Sequence, residues 1–354
     1  MIKIANCQFE WEMQQKMETD FLCSFNSHPL FTQLQFLSFL YCKTDDLILT
    51  SALPEKNYLK RLEGMGIQYG KSSLLPSTEL LINSIDSWGY TPSLKKWAIS
   101  KKLFFDMPDW ELVKYIHSKE FSFTHSPKLP RAKLLSNMKE TKQWIQEFEG
   151  KKVIKHPFGF SGRGLLFVSH TLDSVQETFL SQYFSSNLLM IAEPWVQRVF
   201  DFSSQWFIHK NKMIDYYGST CCFNDEKGTY RKTIIYPDGN IEKKYQSFLA
   251  DHKFHALNIL KKIASLGFYG NIGIDAMIYL DKNHLQLHPI VEINARKTMG
   301  YVALMLQKHH FPHQSIAMSF NSRNREKNLL PNSVILPSGR ERKLPKVLEC
   351  QILS

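Results

Sequence analysis

The most informative segment of the chain is residues 270–300, which read GNIGIDAMIYLDKNHLQLHPIVEINARKTMG. Two apolar runs, at about 271–280 and 285–294, flank a short polar stretch that contains a Lys-Asn pair. Apolar runs on either side of such a turn predict two antiparallel strands that form a buried hairpin. The hairpin matters for function because it carries polar side chains inside an apolar environment.

Three oxygen-bearing side chains lie within these strands: Asp275 in the first, and Glu292 and Asn294 in the second. Buried carboxylates are costly unless they are paired or bound to a metal. A regular hairpin places Asp275 opposite Ile290, with Glu292 as a same-face diagonal neighbour at roughly 7–8 Å. Residues two apart on a strand share a face, so Asn294 points the same way as Glu292. Two carboxylates and an amide are hard oxygen ligands, which favour Mg²⁺ held jointly with nucleotide phosphates.

Arg296 follows two residues after Asn294 and shares that face if the strand continues. A guanidinium group at this place can clamp a phosphoryl group during its transfer. The alternative is a buried network in which Arg296 only neutralises Glu292. Three oxygen ligands and an arginine on one hairpin face are hard to explain by packing, so we favour the catalytic interpretation.

The composition of the 354-residue chain is that of a folded protein, with 43% hydrophobic and 22% charged residues. This length predicts one large domain or two to three ordinary ones. The longest apolar stretches fall short of the ~20 residues that span a bilayer, and the N-terminus lacks an apolar signal-peptide core. The six cysteines include no C-x-x-C pair, which indicates reduced thiols. We therefore expect a cytoplasmic protein.

The net charge of +11 favours anionic partners but does not identify them. The lysines and arginines are spread along the chain and form no basic block of five to eight residues. Nucleic acid, phosphorylated small molecules and a merely solvated basic surface therefore stay open on charge alone.

The first third of the chain predicts an α/β unit. Residues 46–53 have the apolar run of a buried strand, and residues 55–64 have a helical pattern that ends at Gly64. No G-x-G-x-x-G motif follows the strand, so a Rossmann-like unit without dinucleotide binding is expected. Residues 90–118 predict amphipathic helices, and residues 320–354 match no recognised pattern beyond a hairpin that closes the fold.

The middle of the chain predicts alternating helices and strands. The predicted helices are 133–148, 171–184 with Thr171 as a cap, and 250–266 ending at Gly267; the predicted strands are 152–155, 164–168, 188–196 and 204–220.

A glycine-rich loop at 159–164, GFSGRG, lies between two of these strands. It is not a P-loop, which would open a helix. Glycines let backbone N–H groups approach phosphate oxygens, and Ser161 and Arg163 add side-chain donors. Lys155 ends the preceding strand, where its ammonium group can meet phosphates. An ordinary hairpin and a surface lysine are the open alternatives.

The segment 193–203 reads EPWVQRVFDFS and follows a predicted strand end. Such a strand end can offer backbone groups to an adenine edge, with Glu193 and Asp201 as acceptors for the exocyclic amine and the ribose. Trp195 either stacks on a base or packs in the core, and both interpretations stay open.

In order and spacing, these motifs resemble the ATP-grasp superfamily over about residues 115–315. The matching series is Ser118-Lys119, Val153-Ile154-Lys155, the GFSGRG loop, Glu193-Pro194-Trp195-Val196, Asp275, and Glu292-Ile293-Asn294-Ala295-Arg296. One departure is Asp275, where many members have Glu.

The resemblance implies a fold of mixed α/β and α+β class, with a Rossmann-like N-terminal domain before a two-subdomain ATP-grasp fold. The expected domains are 1–115, a small lid subdomain at 116–196, and a large subdomain with a C-terminal extension at 197–354. It implies these roles: Lys119, Lys155 and the lid residues Ser161, Gly162, Arg163 and Gly164 for phosphates; Glu193, Trp195 and Val196 for adenine; Asp201 for ribose; Asp275, Glu292 and Asn294 for metal; and Arg296 for catalysis.

The implied activity is a ligase that uses ATP and Mg²⁺ to join the carboxylate of an amino acid or peptide to an amine through an acyl phosphate. Two Mg²⁺ ions are expected, and Mn²⁺ can replace them. Arg198, Tyr230, Arg231 and the loop 223–232 are candidate substrate contacts, although part of that loop is equally well a plain turn. Membrane and nucleic-acid partners are not expected, and a homodimer is left open. The alternatives are a kinase with the same nucleotide grip, a nucleic-acid-binding module, and a non-catalytic nucleotide binder.

Overall fold

The computed structural model of the protein describes residues 1–15, 20–75, 84–159, 164–225, 230–320 and 324–353. The helices are α1 (Phe9–Gln14), α2 (Phe21–Asn26), α3 (Pro29–Leu34), α4 (Ser38–Tyr41), α5 (Tyr58–Gly64), α6 (Pro92–Ser100), α7 (Trp110–His117), α8 (Lys119–His125), α9 (Met138–Gln146), α10 (Ser174–Phe184), α11 (Gln246–Ser265) and α12 (Met299–His310). The strands are β1 (Ile2–Ile4), β2 (Leu47–Thr50), β3 (Leu53–Pro54), β4 (Lys71–Leu74), β5 (Ile85–Ser87), β6 (Lys133–Leu135), β7 (Lys152–Lys155), β8 (Leu165–Val168), β9 (Met190–Pro194), β10 (Gln197–Ile208), β11 (Ile214–Asn224), β12 (Tyr230–Ile235), β13 (Gly270–Asp281), β14 (His284–Asn294), β15 (Ser315–Ser319), β16 (Ser333–Ile335), β17 (Glu341–Lys343) and β18 (Glu349–Leu353).

The N-terminal part of the chain forms a parallel sheet with the strand order β4-β2-β1-β5. Its strands bury Ile2, Ile4 and Leu49 against helices α2 and α6, which contribute Phe21 and Trp97 to the same core. Parallel strands need helices on their faces, and this arrangement confirms the predicted Rossmann-like unit. The chain reverses direction across the sheet between β1 and β5, the kind of place where open α/β sheets expose a crevice.

A second, smaller unit consists of the antiparallel sheet β6-β9-β7-β8 and helices α9 and α10. Trp144 from α9 and Leu180 from α10 are fully buried in its core. The predicted helix over 133–148 is wrong in its first part, because residues 133–135 pair with β9 as strand β6. Asn137 then caps α9 by accepting a hydrogen bond from the Glu140 backbone amide.

The cap predicted for the next helix is also wrong. Helix α10 begins after Asp173 rather than Thr171, and Asp173 forms a reciprocal capping box with Gln176. An aspartate followed three residues later by glutamine satisfies two backbone amides at once, which a lone threonine does not.

The large antiparallel sheet has the strand order β14-β13-β10-β11-β12-β15-β18. Helix α11 covers one face with a stripe of buried residues that includes Ala256, Ile259, Leu260 and Ile263, and these pack against Ile274 and Ile293. The opposite face carries Ser203 and Gln205 of β10, Asp275 of β13 and Glu292 of β14. The predicted hairpin is confirmed as β13 and β14, with a turn at residues 282–283.

The register of this hairpin differs from the regular one predicted. Asp275 pairs directly with Glu292, not with Ile290, because the pairing shifts between Asp275 and Met277. Strand β14 ends at Asn294, so Arg296 follows the strand and does not belong to it.

The C-terminal segment returns to the N-terminal part of the chain. The predicted hairpin in 320–354 is confirmed as β16 and β17, and β16 pairs with β3. Gln33 and Arg61 donate hydrogen bonds to backbone carbonyls between residues 328 and 346. Strand β18 completes the edge of the large sheet by pairing with β15. Among the described residues, the helices are too short or too polar to traverse a bilayer.

Candidate nucleotide and metal site

A narrow cleft lies where helix α8, the small sheet and the large sheet meet. Its walls include Lys119 and Phe123 from α8, Lys155, Ile191 and Glu193 from the small sheet, and His288, Ile290 and Val291 from β14. Three of the residues predicted to contact the nucleotide therefore meet here. They come from parts of the sequence that lie far apart, which the antiparallel pairing of β7 with β9 helps to bring together.

Lys119 connects the glycine loop to the metal candidates. It is the first residue of α8, and its Nζ donates to Gly159 O at 2.5 Å and to Glu292 Oε1 at 2.8 Å. The side chain is nearly buried, with 10% of its surface exposed. A lysine so placed lies between the neck of the glycine loop and a carboxylate that is predicted to bind metal.

Lys155 and Glu193 form a second pair in the cleft. Their charged groups are 2.5 Å apart across the neighbouring strands β7 and β9. Burial alone would raise the pKa of Glu193, but Lys155, and then His288 and Arg198, hold it below its usual value. Burial lowers the pKa of His288 to about 4, so His288 is neutral near pH 7.

The glycine loop is described only at its two ends. Gly159 and Gly164 lie close together, and the backbone amide of His156 donates to Gly164 O at 2.8 Å. Ser161, Gly162 and Arg163 lie outside the described residues, so their predicted phosphate contacts stay predictions.

The other residues predicted to bind nucleotide lie between β9 and β10, as Trp195 and Val196 do, or on β10, as Asp201 does. Trp195 is half-buried against Phe167, at a ring-centroid distance of 4.8 Å, and lies off the cleft lining. Val196 packs against the buried cluster that contains Met277, as does Val291, which lines the cleft. These positions leave the predicted adenine contacts as predictions, with Val196 better placed than Trp195.

Asp201 is paired rather than free. It accepts from Arg198 Nη2 at 2.6 Å and from Asn224 Nδ2 at 3.0 Å. Arg198 is thus held by Asp201, and its predicted contact with substrate would require exchange of this pair. Tyr230, another predicted substrate contact, donates to Met318 O and is half-buried.

The other substrate candidates are peripheral. Arg231 pairs with Asp225 at 2.7 Å on the surface, and residues 226–229 of the loop 223–232 lie outside the described residues.

The metal candidates lie at one edge of the large sheet, on the edge strand β14 and its neighbour β13. Asp275 and Glu292 are directly opposite each other, and Asn294 Nδ2 donates to Asp275 Oδ2 at 3.2 Å. Burial, and then the charge of Glu292, raise the pKa of Asp275 to about 6, although hydrogen bonds from Ser203 and Asn294 and the charge of Arg296 oppose the shift.

This donor set suits Mg²⁺. In the described residues no group of three or more His, Cys, Asp and Glu side chains is arranged to hold a metal, so the site depends on two carboxylates and one amide oxygen. Burial is the larger cause of the raised pKa of Asp275, and repulsion between its carboxylate and that of Glu292 adds to it. A hard divalent cation that also binds phosphate oxygens would relieve that repulsion.

Arg296 extends from the end of β14 toward the N-terminal unit. Its Nε contacts the Glu10 carboxylate on α1, and its guanidinium group lies 5.7 Å from the centre of the Trp88 ring. The neighbouring His117 accepts a hydrogen bond from the Ala295 amide, and burial lowers its pKa well below the ordinary value. Glu10 was not predicted as part of the site, because it lies far from the motifs in sequence.

Two further polar residues of β10, Ser203 and Gln205, complete the site, and neither was predicted from the sequence. Ser203 lies opposite Asp275, and Gln205 donates to Ser203 Oγ at 2.8 Å and accepts from Thr298 Oγ1 at 2.8 Å. They follow the predicted Asp201 at intervals of two residues on the same strand, and this spacing was the signal that could have found them.

Comparison with known proteins supports the fold. No family model matches the sequence, and no curated protein matches it significantly. Solved structures do match in shape. Biotin carboxylase of Campylobacter jejuni, solved as a beta-gamma-ATP complex, has a TM-score of 0.51 and 14% identity, and the match covers 82% of this chain and 73% of that one.

Two other matches extend over more of the chain. The biotin carboxylase domain of Hydrogenobacter thermophilus 2-oxoglutarate carboxylase, solved with MgADP, ADP and bicarbonate, has a TM-score of 0.51 and 13% identity over 87% of this chain and 80% of that one. N5-carboxyaminoimidazole synthetase of Staphylococcus aureus, solved with ADP, has a TM-score of 0.50 and 10% identity over 88% and 87%. These enzymes are ATP-grasp proteins, and the chain has the ATP-grasp fold that its motifs predict.

Proposed function

We propose that the protein is an ATP- and Mg²⁺-dependent ligase that joins a carboxylate to an amine through an acyl phosphate. The observation that carries the proposal is the arrangement around Glu292, which lies opposite Asp275 and is bonded to Lys119 at the neck of the glycine loop. Glu292 is thus both a proposed metal ligand and the partner of the lysine that we propose to bind phosphate. Proteins with this fold have been solved with beta-gamma-ATP, with MgADP and with ADP, which supports nucleotide binding in general.

In this proposal each cationic group has a defined task. Lys119 and Lys155 bind phosphate oxygens and reduce the repulsion between ATP and an anionic carboxylate substrate. Asp275, Glu292 and Asn294 hold two Mg²⁺ ions, which Mn²⁺ can replace; bound Mg²⁺ supplies charge stabilisation for the transferring phosphoryl group.

The proposed reaction has two steps. A carboxylate oxygen attacks the γ-phosphorus, and the bond from this phosphorus to the ADP oxygen breaks. The amine nitrogen next attacks the acyl carbon, phosphate leaves with the carbon–oxygen bond electrons, and the amine loses a proton. Arg296 donates hydrogen bonds to the oxygens that gain charge in both steps.

When nucleotide binds, the two lysines must leave the carboxylates with which they are paired in its absence. Lys119 is paired with Glu292, and Lys155 with Glu193. A nucleotide that takes a lysine leaves a buried carboxylate unpaired unless a cation arrives with it. We therefore expect Mg²⁺ and nucleotide to strengthen each other's binding.

The first test measures ADP affinity by calorimetry with and without Mg²⁺. The wild-type protein should bind ADP more tightly with Mg²⁺, and Glu292→Gln should reduce that gain by at least ~10-fold, since even outer-sphere changes have such effects at metal sites. Glu111→Gln is the matched control, because Glu111 is an exposed carboxylate that pairs with Lys114 on α7. Equal gains in both variants would contradict the proposed metal site.

The second test identifies the reaction. A panel of amino acids and dipeptides is screened for release of ADP and phosphate, and products are analysed by mass spectrometry. A ligase releases free phosphate and forms an amide, whereas a kinase forms a phosphorylated acceptor without free phosphate. A wild-type protein without Mg²⁺-dependent ADP affinity and without ATP turnover would contradict both.

A further inference from the structure

The metal candidates face each other only because the hairpin is irregular. From Asp281↔His284 to Met277↔His288 the pairing is regular, but the next pair is Asp275↔Glu292. Ala276 on β13 therefore faces the three residues 289–291 on β14. Continued regular pairing would place Asp275 opposite Ile290 and would leave Glu292 only a diagonal neighbour.

Pro289 lies at the start of this irregular stretch. A proline has no backbone N–H group to contribute to the ladder and is typical of edge strands and bulges, and regular pairing ends at this residue. The residues that follow it, Ile290 and Val291, line the nucleotide cleft. The register shift therefore determines the positions of both the cleft wall and Glu292. The extra residues of β14 need a contact from outside the hairpin to hold them in a single conformation.

A buried histidine beneath the sheet makes that contact. His252 on α11 is fully buried, and its Nδ1 lies 2.7 Å from Pro289 O. Its Nε2 lies 2.7 Å from Ser204 Oγ, and Trp206 Nε1 donates to the same Ser204 Oγ at 2.6 Å. The carbonyl of Pro289 can only accept, so Nδ1 carries the proton and Nε2 accepts from the Ser204 hydroxyl.

In this chain of hydrogen bonds each donor meets an acceptor. Burial lowers the pKa of His252 to about 4, so the neutral ring keeps one donor and one acceptor near pH 7. Ser204 and His252 are fully buried on the α11 face of the sheet, while Ser203 and Asp275 point to the other face. The histidine thus has no access to ligand and can act on the site only through β14.

We propose that His252 is a positioning residue for the metal site, which fixes the register of β14 by donating to Pro289 O and so places Glu292 opposite Asp275. The role in metal binding rests on the proposed function, whereas the role in setting the register does not. Two measurements therefore separate them.

The first measurement reads the register without metal. The variant D275C/E292C places a cysteine at each of the two positions. If the positions are directly opposite, their Cβ atoms lie near the distance that a disulfide needs; if they are diagonal neighbours, the Cβ atoms are too far apart. Oxidative cross-linking between these two positions, quantified by mass spectrometry of peptides, should proceed readily with His252 present. His252→Gln, whose amide lies at the position of Nε2, should lower the cross-linked fraction severalfold.

Two further variants control for lost packing. His252→Asn carries its amide near the position of Nδ1 and can still donate to Pro289 O, and Ser204→Ala removes only the partner at Nε2. Both should retain the cross-link, even if they lower the melting temperature as much as His252→Gln does. Should His252→Gln fail to fold, a loss of the cross-link in His252→Asn or in Ser204→Ala would still overturn the proposal. Equal cross-linking in all backgrounds would also overturn it.

The second measurement reads the metal site. Mn²⁺ affinity in the presence of ADP, followed by electron paramagnetic resonance of free Mn²⁺, should fall about tenfold or more in His252→Gln and stay near wild type in Ser204→Ala. Equal losses in both variants would mean that His252 is merely structural. If the wild-type protein binds no Mn²⁺ with ADP while the cross-link still depends on His252, the proposed function is what fails.

Discussion

Glu12 is a carboxylic acid held inside the N-terminal unit. It lies on α1 with 8% of its surface exposed, and it accepts a hydrogen bond from Ser93 Oγ at 2.7 Å. Burial raises the pKa of Glu12 to about 7, although the hydrogen bond from Ser93 works in the opposite direction. The site around it accommodates the neutral acid better than the carboxylate.

This makes the stability of the fold depend on pH. Between the unfolded pKa of 4.5 and about 7 the folded protein holds a proton that the unfolded chain has released, so stability falls as pH rises through this window. The loss amounts to at most about 3 kcal/mol, at 1.36 kcal/mol per pKa unit. Glu12→Gln should remove this pH-dependent loss and raise the free energy of unfolding at pH 8, as measured by urea denaturation.

The difference between Glu12→Gln and the wild-type protein should shrink toward pH 5, where the wild-type acid is protonated. Glu111→Gln is again the matched control, because Glu111 has 73% of its side-chain surface exposed and should leave the pH profile unchanged. A Glu12→Gln profile parallel to that of the wild-type protein from pH 5 to pH 8 would contradict the assignment.

Gly164 determines the geometry of the glycine hairpin at its neck. Its φ of +76° lies in the left-handed region, and a Cβ atom there would lie 2.9 Å from His156 Cβ and 3.3 Å from Gly159 Cα. A side chain would therefore push the two ends of the loop apart. Lys119 is bonded to Gly159 O, so a displaced neck also disturbs the lysine that we propose to bind phosphate.

Gly164→Ala should weaken Mg²⁺-dependent ADP binding severalfold, as measured by calorimetry. The matched control is Gly150→Ala, because Gly150 has a φ of +103° but no atom outside its chain neighbours within 4 Å of an added Cβ. Both variants carry the backbone strain of a left-handed alanine, roughly 1–2 kcal/mol. Only Gly164→Ala adds the steric contact, so equal ADP affinities in the two variants would show that the neck does not matter.

The sequence predicted the elements that carry the site better than it predicted their pairing. The hairpin of β13 and β14 was predicted within two residues, because long apolar runs on either side of a turn leave few alternatives. Its register was not predicted, since the shift depends on Pro289 and on a hydrogen bond from α11, 37 residues away in sequence. Pairing with β9 likewise turned residues 133–135 into a strand despite their helical pattern.

The candidate site was predicted only where its residues lie in motifs. Lys119, Lys155 and Glu193 meet in the cleft as the motif order indicates. Glu10 and Lys297 were not predicted, because each acquires its role from a partner on another unit. Local spacing contains no information about contacts that form only when the parallel sheet packs against the large sheet.

Lys297 joins these two sheets. The side chain is fully buried, and its Nζ contacts Asp86 Oδ1 and donates to Ser87 O at 2.5 Å, while its backbone amide donates to Trp88 O at 2.9 Å. Lys3 on β1 adds a second cation to Asp86 at 2.8 Å. Burial would raise the pKa of Asp86, but Lys297 and then Lys3 hold it at about 2. The residue after Arg296 thus anchors the N-terminal unit beside the site.

Breaking this buried pair should destabilise the whole molecule. Asp86→Asn leaves the Lys297 ammonium group buried without its counter-charge, and Lys297→Met leaves Asp86 with Lys3 alone. Removal of one partner of a buried pair costs about 3–5 kcal/mol. We expect a loss of this size in the free energy of unfolding for Asp86→Asn and a smaller loss for Lys297→Met, both measured by urea denaturation.

The double variant Asp86→Asn with Lys297→Met tests whether Asp86 and Lys297 stabilise the protein through their ion pair or independently of each other. It should be more stable than Asp86→Asn alone, because the unpaired ammonium group is gone. Lys114→Met, which breaks an exposed pair with Glu111, should cost little and serves as the control. If the two losses simply add, Lys297 and Asp86 stabilise the protein independently, and the ion pair does not hold the N-terminal unit to the end of β14.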